Sequence, residues 1–158
     1  AKSADVQFEI ELVVALAKGG VDIPVARALD HVLGYAVGLD MTRRDLQGEA
    51  KKLGRPWEVG KAFERSAPCS TLVLASEIGH PDHGAIWLKV NGEIRQQGDL
   101  NHMIWKVPEM ISYLSGLFEL KAGDIILSGT PSGVGPVVKG DVMLVEIDGL
   151  PKLETKIN

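Results

Sequence analysis

Six polar side chains in the first half of this sequence could work together: Glu9, Glu11, Asp40, Arg44, Gln47 and Lys61. In the run Gly34-Tyr35-Ala36-Val37-Gly38-Leu39-Asp40-Met41-Thr42-Arg43-Arg44-Asp45-Leu46-Gln47, an apolar stretch breaks abruptly into ionic and amide groups. A boundary of this kind between strand and polar turn puts side chains on the rim of a core, where a rigid element aims them into a cleft. Asp40 is the first candidate there. The alternative is that Asp40 or Asp45 caps a short helix over 43–53, Asp being a preferred N-cap residue. Upstream, Glu9 and Glu11 fall within a β-branched, apolar stretch at 6–17, which reads as one strand ending at Lys18-Gly19-Gly20. A period of two puts both carboxylates on one face and Phe8, Ile10 and Leu12 on the other. Like charges on one face repel, so that face is either solvated or holds something positive. Lys61, between Gly60 and Ala62, sits where an ammonium can enter a cleft or simply stay at the surface.

Three carboxylates without a histidine or cysteine cluster favour a hard divalent cation over zinc: Mg²⁺ first, with Mn²⁺ or Ca²⁺ as alternatives. The neighbouring cationic and amide groups suit a carboxylate on a ligand that also chelates through oxygen, which a 2-oxo acid does. Other motifs are weaker. His80-Pro81-Asp82-His83-Gly84 has the Pro and Gly content of an exposed loop, and His31 and His102 read as surface residues. Cys69, beside Pro68, is the only cysteine; it excludes an internal disulfide and reads as a packing residue. The loop Gly129-Thr130-Pro131-Ser132-Gly133-Val134-Gly135-Pro136 invites a phosphate reading, but it lacks the Gly-Lys-Ser/Thr of a P-loop and no helix pattern follows. What remains is a tight loop offering backbone amides and the Thr130 hydroxyl at a strand's end.

The elements that must position these groups are mostly strands. Strand patterns fall at 35–39, 71–75, 85–90, 125–128, 141–148 and 152–157, and Asn91-Gly92 makes 86–97 a hairpin. Short helices are expected at 24–33, through Val25, Ala28, Leu29 and Val32, and at 47–54. A broken, core-facing helix is expected after Asp99, carrying Leu100, Met103, Ile104 and Val107, then Ile111, Leu114 and Phe118 beyond Pro108. The fold class is therefore mostly β with short helices, α+β. The 158 residues suffice for one domain. A formal net charge of −4, without a basic stripe, argues against nucleic acid as a partner. Apolar runs fall short of the roughly 20 residues a membrane span needs, and the first residues do not form a signal peptide. A cytoplasmic protein is expected.

Six ordered motifs resemble the fumarylacetoacetate hydrolase superfamily, and they cover nearly the whole chain: Glu9-Ile10-Glu11-Leu12; Gly34-Tyr35 through Asp40 to Gln47; Pro56-Trp57 with Lys61; Val90-Asn91-Gly92-Glu93 with Arg95-Gln96; Gly123-Asp124; and Gly129 to Gly135. The resemblance implies a β-sandwich or β-roll of that family, with Glu9, Glu11 and Asp40 as metal ligands. It implies that Arg44, Gln47, Lys61 and Thr130 line the substrate site, Lys61 serving also as the catalytic donor to a developing oxyanion. It further implies a homodimer similar to the small bacterial fumarylpyruvate or acylpyruvate hydrolases. The expected reaction is hydrolysis of a carbon–carbon bond in an acylpyruvate, with the metal stabilising the pyruvate enolate that leaves. Oxaloacetate decarboxylation or tautomerisation, or isomerisation of a muconate-type acid, would use the same site. A non-catalytic member that binds a dicarboxylate is the third alternative. Relatives carry an upstream segment whose histidine and glutamate lie on a mobile lid and activate water. Here the sequence begins at Ala1, so an N-terminal portion is expected to be missing and no general base is assigned.

Overall fold

The computed structural model of the protein describes residues 2–158. β2 (Ile10–Leu16) and β3 (Val32–Leu39) form the antiparallel centre of one four-stranded sheet. It is flanked by β5 (Val73–Leu74) and β8 (Ile125–Leu127), in the order β5-β3-β2-β8. A second four-stranded sheet has the order β11-β10-β6-β7, built from β6 (Ala85–Val90), β7 (Glu93–Asp99), β10 (Val142–Ile147) and β11 (Leu153–Lys156). A small third sheet joins β4 (Thr42–Arg43), β1 (Val6–Phe8) and β9 (Gly135–Val137). All strand pairs are antiparallel.

The two larger sheets supply most of one core. Leu12, Val14 and Leu16 from β2, with Tyr35, Val37 and Leu39 from β3, share it with Ile86, Leu88 and Val90 of β6 and Met143, Val145 and Ile147 of β10. In β6 and β10 only alternate residues are buried, the pattern of a sheet with one face inward. β2 is buried at every position, so its polar members must find partners inside the protein.

Expected strand and helix boundaries shift where tertiary pairing decides them. The strand expected over 6–17 is two strands, broken at Glu9 because the chain there leaves the small sheet for the large one. The helix expected at 24–33 is only α1 (Val25–Ala28) and a 3₁₀ turn (Leu29–His31). Val32 already pairs with Leu16 in the sheet. Of the strand expected at 71–75 only β5 forms, and α4 (Ala75–Ile78) follows it directly. α2 (Arg44–Lys52) starts at Arg44, and neither Asp40 nor Asp45 is its N-cap, which is Arg43. After Asp99 a 3₁₀ turn (Leu100–His102) gives way to an extended link, and α5 (Val107–Ser115) begins with Pro108 in its first turn. Ile104, off the helix, is 95% exposed, and Phe118, past the helix end at Gly116, is 63% exposed; neither faces the core as their spacing implied. Cys69 is likewise exposed rather than packed.

Candidate metal centre

Two adjacent strands cross together from the large sheet to the small one. β1 and β2 meet at Glu9, while β3 and β4 are separated by Asp40 and Met41, and the Asp40 amide donates to the Glu9 carbonyl at 2.9 Å. The two carboxylates therefore occupy matching positions on neighbouring strands. A third crossing, from β8 to β9, runs through the glycine-rich loop. Glu11, one full period beyond Glu9, is brought to the same place. Its Oε2 accepts the Gly129 amide at 2.7 Å. Among the described residues, Glu9, Glu11 and Asp40 form a group whose ligating oxygens all lie within 4.8 Å of one another.

This is not a solvated face. Glu9 is 8% exposed and Glu11 is 4% exposed. Two cations answer part of the charge. The Lys61 ammonium, at the end of α3 (Glu58–Lys61), donates to Glu9 Oε2 at 2.8 Å, Asp40 Oδ2 at 2.7 Å and the buried Thr42 hydroxyl at 2.7 Å. The Arg44 guanidinium, in the first turn of α2, donates to Glu9 Oε1 at 2.5 Å, Gln47 Oε1 at 2.7 Å and Gln7 Oε1 at 3.0 Å. Burial alone would raise the Glu9 carboxyl, but Lys61 and Arg44 outweigh it and hold Glu9 below the usual carboxylate range. Burial likewise opposes the charge on Lys61, yet Asp40 and Glu9 hold its ammonium above the ordinary lysine value.

Glu11 has no such partner. Burial pushes its carboxyl up to about 7, and the charges of Asp40 and Glu9 reinforce this against the Gly129 amide and the more distant Lys61. Three carboxylates, two of them buried, facing two cations leave a negative excess concentrated on Glu11. The donor set is all oxygen, with no histidine or cysteine in the group. Both features fit a hard divalent cation, which would be held by Glu9, Glu11 and Asp40.

The structure brings Arg44, Gln47 and Lys61 into one polar network around Glu9. Thr130 is tied to the backbone between Glu9 and Glu11 through Gln96, whose Nε2 donates to Thr130 Oγ1 at 2.9 Å and whose Oε1 accepts the Ile10 amide at 3.0 Å. Three supporting residues escaped the reading from residue types alone: Gln7, Thr42 and Gln96. Thr42 and Gln96 each lay within a motif, the one that runs through Asp40 and the Arg95-Gln96 pair, but a glutamine at one end of a hairpin looks like a surface residue until its 1% exposure is known. The histidines stand apart from the cluster: His31 faces the Lys18 carbonyl, His80 bonds the Tyr35 hydroxyl and His83 pairs with Asp82. His102 lines a cavity of about 580 Å³ with Leu100, Met103, Trp105 and Pro131. Gly129 and Thr130 also line it, whereas Glu9, Glu11 and Asp40 do not.

A small antiparallel β fold whose chain crosses between sheets beside Glu9, Glu11 and Asp40 is the kind of scaffold that a family of enzymes can build a divalent-metal site on. The chain matches the family described as fumarylacetoacetate (FAA) hydrolase C-terminal over residues 1–158. It belongs to that family. The fumarylpyruvate hydrolase of Pseudomonas aeruginosa, crystallised with Mn²⁺ and pyruvate, is 55% identical with a TM-score of 0.98, covering 99% of this chain and 67% of that one. The 5-carboxymethyl-2-hydroxymuconate delta-isomerase of Mycobacterium smegmatis is 28% identical with a TM-score of 0.89, covering 98% of this chain and 59% of that one. Among curated proteins, the mitochondrial oxaloacetate tautomerase FAHD1 of Mus musculus is 46% identical over 153 residues, 97% of this chain and 69% of its own length. The chain thus spans about two thirds of the length of such relatives.

Proposed function

We propose that the chain forms the metal-binding and substrate-binding part of an acylpyruvate hydrolase, with fumarylpyruvate as the substrate and fumarate and pyruvate as products. The observation that carries this reading is the cluster of Glu9, Glu11 and Asp40 beside Arg44, Gln47 and Lys61, in a chain 55% identical to a fumarylpyruvate hydrolase. Glu9, Glu11 and Asp40 would hold Mg²⁺ or Mn²⁺, which would supply positive charge toward the oxygens of a 2-oxo acid and the negative charge that develops when its carbon–carbon bond breaks. Arg44 and Gln47 grip the substrate carboxylate from the first turns of α2. Lys61 donates to the oxyanion formed at the attacked carbonyl. In the present arrangement its three hydrogens are spent on Glu9, Asp40 and Thr42, so it must release one of these bonds to do so. Thr130 offers its hydroxyl from the loop that follows β8. The exposed Ile104, Trp105, Tyr113 and Phe118 supply apolar surface for a homodimer, which light scattering would detect.

A second reading is supported by the curated relatives: keto-enol tautomerisation of oxaloacetate, which uses the same chelation without attack by water. A full-length protein assayed with Mn²⁺ on a panel of acylpyruvates and on enol-oxaloacetate separates the two. Turnover of fumarylpyruvate establishes the hydrolase. Rapid ketonisation of oxaloacetate with no acylpyruvate consumed replaces it with the tautomerase. Activity on neither overturns both.

A further inference from the structure

Gln96 lies on β7, in a different sheet from the carboxylates, yet it reaches the point where the centre is assembled. β2 has β3 on one side along its whole length, but β8 on the other side pairs only with Val13 to Ala15. The Ile10 amide, between Glu9 and Glu11, is therefore left without a strand neighbour, and the Gln96 side chain fills the gap. Its Oε1 accepts the Ile10 N–H at 3.0 Å. Its Nε2 donates to the Pro131 carbonyl at 2.7 Å and to the Thr130 hydroxyl oxygen at 2.9 Å.

The polarity of this arrangement is forced. A backbone N–H can only donate and a backbone carbonyl can only accept, so the opposite orientation of the amide would break both main-chain bonds. Both Nε2 hydrogens are thereby committed, one to Pro131 and one to Thr130. Thr130 must accept from Gln96, and its own hydrogen has to point elsewhere. Among the described residues no acceptor takes that hydrogen. Thr130 is half-buried, one residue from the Gly129 amide that holds Glu11. Gly133 keeps the loop in place: its φ is +102°, and a Cβ there would lie 2.3 Å from the Arg95 carbonyl oxygen.

We infer that Gln96 is a positioning residue that fixes Thr130 as a hydrogen-bond donor toward an anionic oxygen of the bound 2-oxo acid. The inference rests on the proposed role of Thr130 in the substrate site. With one Thr130 lone pair held by the Gln96 amide, the hydroxyl hydrogen is turned away from Gln96 and is not spent on any described residue, so an anionic oxygen meets a donor already oriented rather than one that must first be turned. The device lets a neutral side chain discriminate in favour of an anion.

The test is calorimetric titration of oxalate into the Mn²⁺-loaded protein at pH 8, with Mn²⁺ affinity and thermal stability measured for every variant. A hydrogen bond to a charged group is expected to change affinity by roughly tenfold or more. Thr130→Val should weaken oxalate by about that factor, and Thr130→Ser should keep most of the affinity. Gln96→Glu can accept from Ile10 but no longer donates to Thr130, and it should weaken oxalate to a similar degree. In a Thr130→Val background the same change should add less than about twofold, because the hydroxyl it acts through is gone. Gln96→Met, of similar volume and without a buried charge, gives the same comparison if the glutamate variant does not fold. Losses that simply add would overturn the role of Gln96 while leaving Thr130 in the site. Unchanged oxalate affinity in Thr130→Val would remove Thr130 from the substrate site and the inference with it. Failure of the parent protein to bind oxalate would overturn the proposed site as a whole.

Discussion

Glu11→Gln should separate what the centre contributes to binding from what it costs in stability. A carboxyl held at about 7 in the folded protein, against an ordinary value of 4.5, costs the metal-free fold roughly 3 kcal/mol at pH 8. The sign follows from which state keeps its proton. Below about pH 4.5 Glu11 is protonated whether folded or not, and it imposes no penalty. Between 4.5 and 7 the unfolded chain releases the proton while the folded protein retains it, so stability falls as pH rises, and above 7 the full cost is present. Glutamine keeps the volume and can still accept the Gly129 amide, and its NH₂ faces the carboxylates of Glu9 and Asp40. In excess chelator at pH 8 the variant should be more stable than the parent by about 2 kcal/mol, or roughly 4–8 °C in melting temperature for a chain of this size. At pH 4.5 most of that gain should vanish. Added Mn²⁺ should reverse the order. The parent gains about 4 kcal/mol at a thousandfold excess over its dissociation constant, while the variant has lost a hard anionic ligand. Differential scanning calorimetry at the two pH values, with and without Mn²⁺, measures all of this. A variant less stable than the parent in chelator at pH 8, or one that gains as much from Mn²⁺, refutes the account of Glu11 as an unneutralised ligand.

Three further outcomes are expected. Lys61→Met should lower turnover by about 10² to 10³ while Mn²⁺ still binds, because it removes a charged donor to the oxyanion but no metal ligand; undiminished turnover would take Lys61 out of the reaction. Arg44→Met should raise the Michaelis constant with little change in turnover number if the guanidinium holds the substrate carboxylate equally in ground and transition states, and steady-state kinetics on the full-length protein distinguishes this from a loss of turnover alone. Gly133→Ala should destabilise the fold by about 2 kcal/mol or more, combining a left-handed backbone with a Cβ placed against the Arg95 carbonyl; urea denaturation checks it, and a neutral result would mean the loop relaxes away from β7.

The composition of the site was legible in the sequence because the chemistry of the side chains is local. Three carboxylates, two cations and an amide at the ends of apolar runs already suggest a hard-metal site with an anionic ligand, and the ordered motifs point to the family. The mostly β class was legible for the same reason, since alternation and turn residues are short-range signals. The joint at Glu9 was not, because residues 6–17 carry a continuous strand pattern, and only pairing with β4 and β9 before Glu9 and with β3 and β8 after it divides it between two sheets. That division aligns Glu9 with Asp40, buries Glu11 and leaves the Ile10 amide for Gln96 to satisfy. Apart from its place in the Arg95-Gln96 motif, nothing in the neighbourhood of Gln96 marks it as different from Gln97, which is exposed on the same strand while Gln96 is buried. Which residues could bind was written in their types. Which of them are buried, paired or left short of a counter-charge depended on long-range strand pairing, and the proposal of a binding site rests on that imbalance of charge at Glu11.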